Sequence, residues 1–120
     1  MTLVRSYLIA LCVGASSAAT GAVASAPTVD DCLEASDFIE HAAQSRDNGM
    51  TRDAFMTRLS GDFALIRAFP PELRWFAKDE DDERFLAREA EQVFDAPSAP
   101  ADHRRTFLRA CFERLGGASA

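Results

Sequence analysis

From residue 29 onward, apolar side chains recur at three- and four-residue intervals in four runs divided by stop signals. No stretch alternates apolar and polar positions for long enough to suggest a strand. In the first run Cys32, Ala35, Ile39, Ala42 and Ala43 share one face with Phe38 beside it, which predicts a helix over about 29–46. Asp30, Asp31 and Glu34 fall in its first turns, where carboxylates meet the positive helix end. Asp47-Asn48-Gly49 closes it, Gly49 being suited to a left-handed cap. Thr51 is a good N-cap for a second helix over 51–68, with Phe55, Met56, Leu59, Phe63 and Ile66 on one face. Ser60-Gly61-Asp62 is a weak point within it, a place for a kink or a break. Phe69-Pro70-Pro71 ends it, because a residue before proline is driven out of the helical region.

Residues Pro71 to Ala77 leave room for one short helical turn, with Pro71 in the first-turn position. A third helix is predicted over 79–94, with Phe85, Leu86, Ala90, Val93 and Phe94 inward. After the linker Asp95-Ala96-Pro97-Ser98-Ala99-Pro100, a fourth runs over 101–115, with Phe107, Leu108, Cys111, Phe112 and Leu115 inward and Gly116-Gly117 as its stop. Short connections favour antiparallel neighbours. The expected fold is therefore all-α: a small antiparallel four-helix bundle in which the first and last helices lie side by side.

The front of the chain follows a different pattern. Arg5 is the only charge in the first 29 residues, and Tyr7-Leu8-Ile9-Ala10-Leu11-Cys12-Val13 is a short apolar run. Ala22-Val23-Ala24 then supplies small residues suited to signal-peptidase cleavage before Ser25. The apolar run stops well short of the roughly 20 residues a membrane span needs, so residues 1–24 read as a cleaved signal peptide and no stable membrane insertion is expected afterwards. Leu11 before Cys12 is not the small residue that lipid attachment requires, so Cys12 is expected to leave with the signal. What remains is a single domain, 25–120, with two cysteines, Cys32 and Cys111. An even count in an oxidising compartment favours a disulfide. Even helix parity places both cysteines at one end of the bundle, so topology and bridge support each other. The expected location is exported, in the periplasm or the extracellular medium.

Charge narrows the partners. Without Arg5, the 13 Lys and Arg residues fall to 12 against 19 Asp and Glu, a formal charge of −7. Such a chain is repelled by nucleic acid and by anionic membrane surfaces. Asp79-Glu80-Asp81-Asp82-Glu83 is the densest charge run and the one candidate for a hard cation such as calcium. It lacks the spaced acids and glycine of a calcium loop, and consecutive helical side chains diverge by about 100°. It reads better as a helix start that satisfies its own dipole. His41 and His103 have no neighbours at metal-ligand spacing, and read as surface residues that titrate near neutrality. No nucleophile elbow, phosphate loop or dinucleotide loop occurs. Neither an enzyme nor a cofactor or metal site is expected.

Arg74-Trp75-Phe76, beside Phe69-Pro70-Pro71, is the candidate partner-binding site. Tryptophan and arginine are the residue types that dominate interface hot spots. The competing reading is that these side chains plug one end of the bundle.

With Cys32, Arg46-Asp47-Asn48-Gly49, Leu73-Arg74-Trp75-Phe76, Val93-Phe94 and Cys111 in view, the chain resembles small exported helical proteins of proteobacteria. The resemblance implies a periplasmic helical fold with one disulfide and carries no activity. In general architecture the chain also resembles periplasmic acid-stress chaperones, without a shared motif. Three functions follow as expectations. The first is a module that binds another exported protein as inhibitor, immunity factor or accessory subunit. The second is an acid-stress chaperone: below about pH 3 the carboxylates neutralise, and 12 Lys and Arg with 2 His leave about +14 to loosen the bundle. The third is a metal or small-ligand binder using the carboxylates of 79–83.

Overall fold

The computed structural model describes residues 26–117; the expected signal segment and its cleavage site lie outside the described residues. Four α-helices follow one another: α1 (Val29–Asp47), α2 (Arg52–Ile66), α3 (Glu80–Asp95) and α4 (Pro100–Gly117), with a 3₁₀ turn at Pro71–Leu73 between α2 and α3. No strand occurs among the described residues.

Local chemistry explains the boundaries. Thr28 caps α1 in a reciprocal box: its hydroxyl accepts from Asp31 N–H while the Asp31 carboxylate accepts from Thr28 N–H. Gly49 takes φ +99° just past the end of α1. Its N–H bonds to Arg46 O, and Met50 N–H reaches back to Ser45 O, both at 2.9 Å, closing the helix with the two bonds of a Schellman motif. Thr51 caps α2 through Ala54 N–H at 3.1 Å. That helix runs unbroken through Ser60-Gly61-Asp62, so the expected weak point neither kinks nor divides it. It stops at Ile66, two residues before the predicted end, in 3₁₀-like bonds from Ala68 to Leu65 O and from Phe69 to Ile66 O.

Side-chain contacts show that the helices alternate in direction. Lys78, just before α3, lies 3.9 Å from Asp31 at the start of α1, and Arg46 at the end of α1 bonds Val93 O at the end of α3, so these two run parallel. Arg52 at the start of α2 pairs with Asp95, and Arg67 just past its end pairs with Glu83, so α2 opposes α3. Helix α4 packs closely along α1 and runs antiparallel to it. Cys32 and Cys111 join at one end with Cα atoms 5.9 Å apart. Ser98 and His103 meet Arg46 at the other. A disulfide across 79 residues is consistent with an oxidising location.

The expected inward faces form one core. Cys32, Ala35, Ile39, Ala42 and Ala43 of α1 are buried, as are Phe55, Leu59 and Phe63 of α2, Phe85, Leu86, Ala90 and Val93 of α3, and Phe107 and Cys111 of α4. The small side chains of α1 let its neighbours approach closely. One position departs from expectation: Phe112 is 41% exposed, because Phe107 and Cys111 already fill the face of α4 that meets α1 and α3.

Candidate functional site

The segment between α2 and α3 folds into a corner held together by Arg74. The guanidinium donates to Phe69 O at 2.6 Å, Arg67 O at 3.2 Å and Lys78 O at 3.4 Å. It thus caps the carbonyls left over at the end of α2, where Pro70 and Pro71 offer no N–H of their own. Pro71 opens the 3₁₀ turn, and Arg74 N–H closes it onto Pro71 O.

The next two residues differ in burial although their rings touch. Phe76 is 0% exposed and packs against Phe85 and Phe107 at centroid distances of 6.0 and 5.9 Å, while those two rings lie 5.7 Å from each other. Arg114 caps this aromatic cluster with its guanidinium 5.0 Å from the Phe85 ring. Trp75 instead sits half-buried at the surface with φ +37°, a left-handed conformation that disfavours a large side chain. Its ring stands edge-on to Phe38 at 5.8 Å and to Phe76 at 6.2 Å. The three expected partner-binding residues therefore divide in role. Arg74 frames the corner, Phe76 is core and presents no surface, and Trp75 alone of the three offers a ring face near solvent.

The end of α2 and the corner also carry apolar side chains that no periodicity rule singled out. Leu65 is 71% exposed, Phe69 54% and Leu73 67%, three of the large exposed apolar side chains of the described residues. Leu65, Ile66, Phe38 and Trp75 line an open cleft of about 340 Å³ between α1 and α2. Asp62 is the one charged residue on its wall. A smaller hollow, about 180 Å³, continues along the same seam past His41 and Arg58. A signal for the patch was present in the sequence: Leu65 lies off the Leu59-Phe63-Ile66 face, and Phe69 and Leu73 flank two prolines that prevent any helix from burying them.

The acidic run 79–83 is dispersed rather than convergent. Asp79 caps α3 by accepting from Asp82 N–H at 2.9 Å. Asp82 is buried and accepts from Lys78 N–H at 3.1 Å and from Arg114 at 2.5 Å. Burial still holds its carboxyl above the usual carboxylate range, against the pull of Arg114. Glu83 is buried against Arg67, and Glu80 and Asp81 both face Arg84. No group of His, Cys, Asp and Glu able to hold a metal ion occurs among the described residues. Both cysteines of the described residues are joined to each other, so neither offers a free thiol.

No family model, curated protein or solved structure matches this chain. The resemblance to small exported helical proteins therefore rests on residues such as Cys32, Gly49, Trp75 and Cys111 alone. No helix among the described residues is long and apolar enough to cross a membrane.

His41 is exposed, whereas His103 is not a simple surface residue. Its Nε2 accepts from Ser98 N–H at 2.9 Å and lies 3.2 Å from Arg46 Nη1. Sequence spacing could not reveal this arrangement, since Arg46 and His103 are 57 residues apart.

Proposed function

We propose that the protein is an exported protein-binding module that docks another exported protein on the Trp75 corner. The supporting observation is the exposure of three large apolar side chains, Leu65, Phe69 and Leu73, within one short segment that also carries a half-buried tryptophan in a left-handed conformation, with Leu65 lining the same cleft as Trp75. Exposed apolar groups cost solubility, and when concentrated at one place they mark an interaction surface. Backbone strain of this kind, of the order of 1–3 kcal/mol, persists only where the surroundings over-determine it, and it concentrates at functional positions. The Arg74 clamp and the Phe76 anchor supply that over-determination. A corner held by these contacts before binding loses less ordering entropy on docking, which favours affinity.

The partner would insert an apolar side chain against Trp75 and the cleft between α1 and α2. The test is affinity capture of the tagged, exported protein from its native cells at neutral pH, followed by mass spectrometry, with Leu73→Asp run in parallel. One stoichiometric partner, retained by the wild type and lost by Leu73→Asp, is the expected result. A partner held equally by both would move the interface elsewhere. No partner at neutral pH would overturn the reading.

A further inference from the structure

We infer that Arg46 and His103 form an acid-released latch that holds the α3–α4 linker and the start of α4 against the end of α1. The basis is the direction of each hydrogen bond. Arg46 extends its guanidinium from the last turn of α1 and donates to Val93 O and Ser98 O, each at 2.7 Å, while the Asp47 carboxylate holds it from the side. These contacts fix Nη1 3.2 Å from His103 Nε2. On the same nitrogen converges the Ser98 N–H at 2.9 Å. Arginine and a backbone amide can only donate. Nε2 must therefore carry its lone pair, with the ring proton on Nδ1. Protonating the ring turns Nε2 into a third donor facing two donors, one of them a full positive charge. The Ser98 bond is then lost, and Arg46 and the imidazolium repel each other.

The surroundings act on this proton in both directions. Burial and the Arg46 charge push His103 below its ordinary value of 6.5, opposed by Asp102 on its own helix and Asp47 on α1. The unfolded chain consequently takes up this proton first as pH falls. The contribution to stability is complete above about 6.5 and declines below it until the folded imidazole titrates. Glu89 of α3 lines the same cavity as His103 and Ser98. Burial raises its carboxyl, so its own proton uptake favours the folded chain in acid and works against release. Arg52 of α2 is occupied by Asp95 at the end of α3.

The position of the latch determines what release does. Cys32 and Arg46 stand 14 residues apart on α1, about 21 Å at 1.5 Å per residue. The disulfide thus staples one end of the α1–α4 pair and the latch closes the other. Acid loosens the unstapled end, where Ser98 and His103 line a cavity that extends to Ile39 at the middle of α1, while Cys32–Cys111 keeps the two helices tethered.

The experiment is amide hydrogen exchange of Ser98, corrected for the intrinsic rate, together with the NMR titration of both histidines, from about pH 8 to about pH 5. Wild-type Ser98 exchange is expected to speed up severalfold, with the midpoint of the His103 ring signals. His103→Gln, which keeps a side-chain acceptor but does not titrate in this range, should abolish the acceleration. His41→Gln should leave it unchanged. An acceleration that survives in His103→Gln, or one absent from the wild type, would overturn the latch. Should His103→Gln fail to fold, the wild type still decides: a Ser98 transition whose midpoint differs from that of His103 excludes the mechanism.

Discussion

Phe76 and Leu73 stand three positions apart and do opposite work. Phe76 joins Phe85 and Phe107 in a cluster closed to solvent, so Phe76→Ala should cost about 3–5 kcal/mol through lost burial and the cavity left behind. Leu73 lies outside the core, and Leu73→Asp should change stability by no more than about 0.5 kcal/mol. Urea unfolding of the two variants checks both values. A large loss in Leu73→Asp would mean that the corner is packing, not interface. The residue types of Arg74-Trp75-Phe76 drew attention to this corner, but their division into frame, surface and anchor was not legible. Adjacent residues in an irregular segment follow no period, so which side each faces depends on backbone angles such as the φ of +37° at Trp75.

Helix ends were easier to anticipate than helix surroundings. The Asp47-Asn48-Gly49 stop holds because glycine takes the left-handed position without a Cβ penalty. Nothing lies within 4 Å of a Cβ built on Gly49, so Gly49→Ala meets no clash and should cost only the backbone penalty, about 1–2 kcal/mol, read as a lower thermal midpoint with unchanged helicity. The break anticipated at Ser60-Gly61-Asp62 does not occur. Helix α2 buries Phe55 and Leu59 before it and Phe63 after it on one continuous face, and that packing outweighs the weak propensity of one glycine. Phe112 shows the reverse. Its spacing fits the apolar stripe of α4, yet that helix meets neighbours over a narrower arc than the stripe covers, which leaves the ring partly exposed.

Across the whole molecule, the disulfide and the latch sit at opposite ends of the α1–α4 pair. Closing a loop of 79 residues stabilises by about 4 kcal/mol in the chain-entropy account. Urea unfolding with and without reductant should show a loss of that order or somewhat less. Reduction should also widen the effect of acid, because the latch would then be released without a tether. A reduced protein with an unchanged unfolding midpoint would show that core packing alone sustains the bundle. Acid loosening through His103 would bring the protein near the behaviour expected of a stress chaperone, and the Ser98 exchange profile tests that first step directly.

Four helices, the Thr51 cap, the Gly49 stop, the inward faces apart from Phe112, and the pairing of Cys32 with Cys111 all follow from periodicity, capping chemistry and parity. These depend on neighbours a few positions apart or on a count, and both are readable along a chain. The Arg46–His103 contact, the burial of Asp82 and Glu83 in the acidic helix start, and the contact of Trp75 with Phe38 came from packing. Each depends on residues tens of positions distant whose approach is set by how helices stack. No local pattern encodes that approach, because many sequences with the same stripes could rotate their helices differently and bring other side chains together.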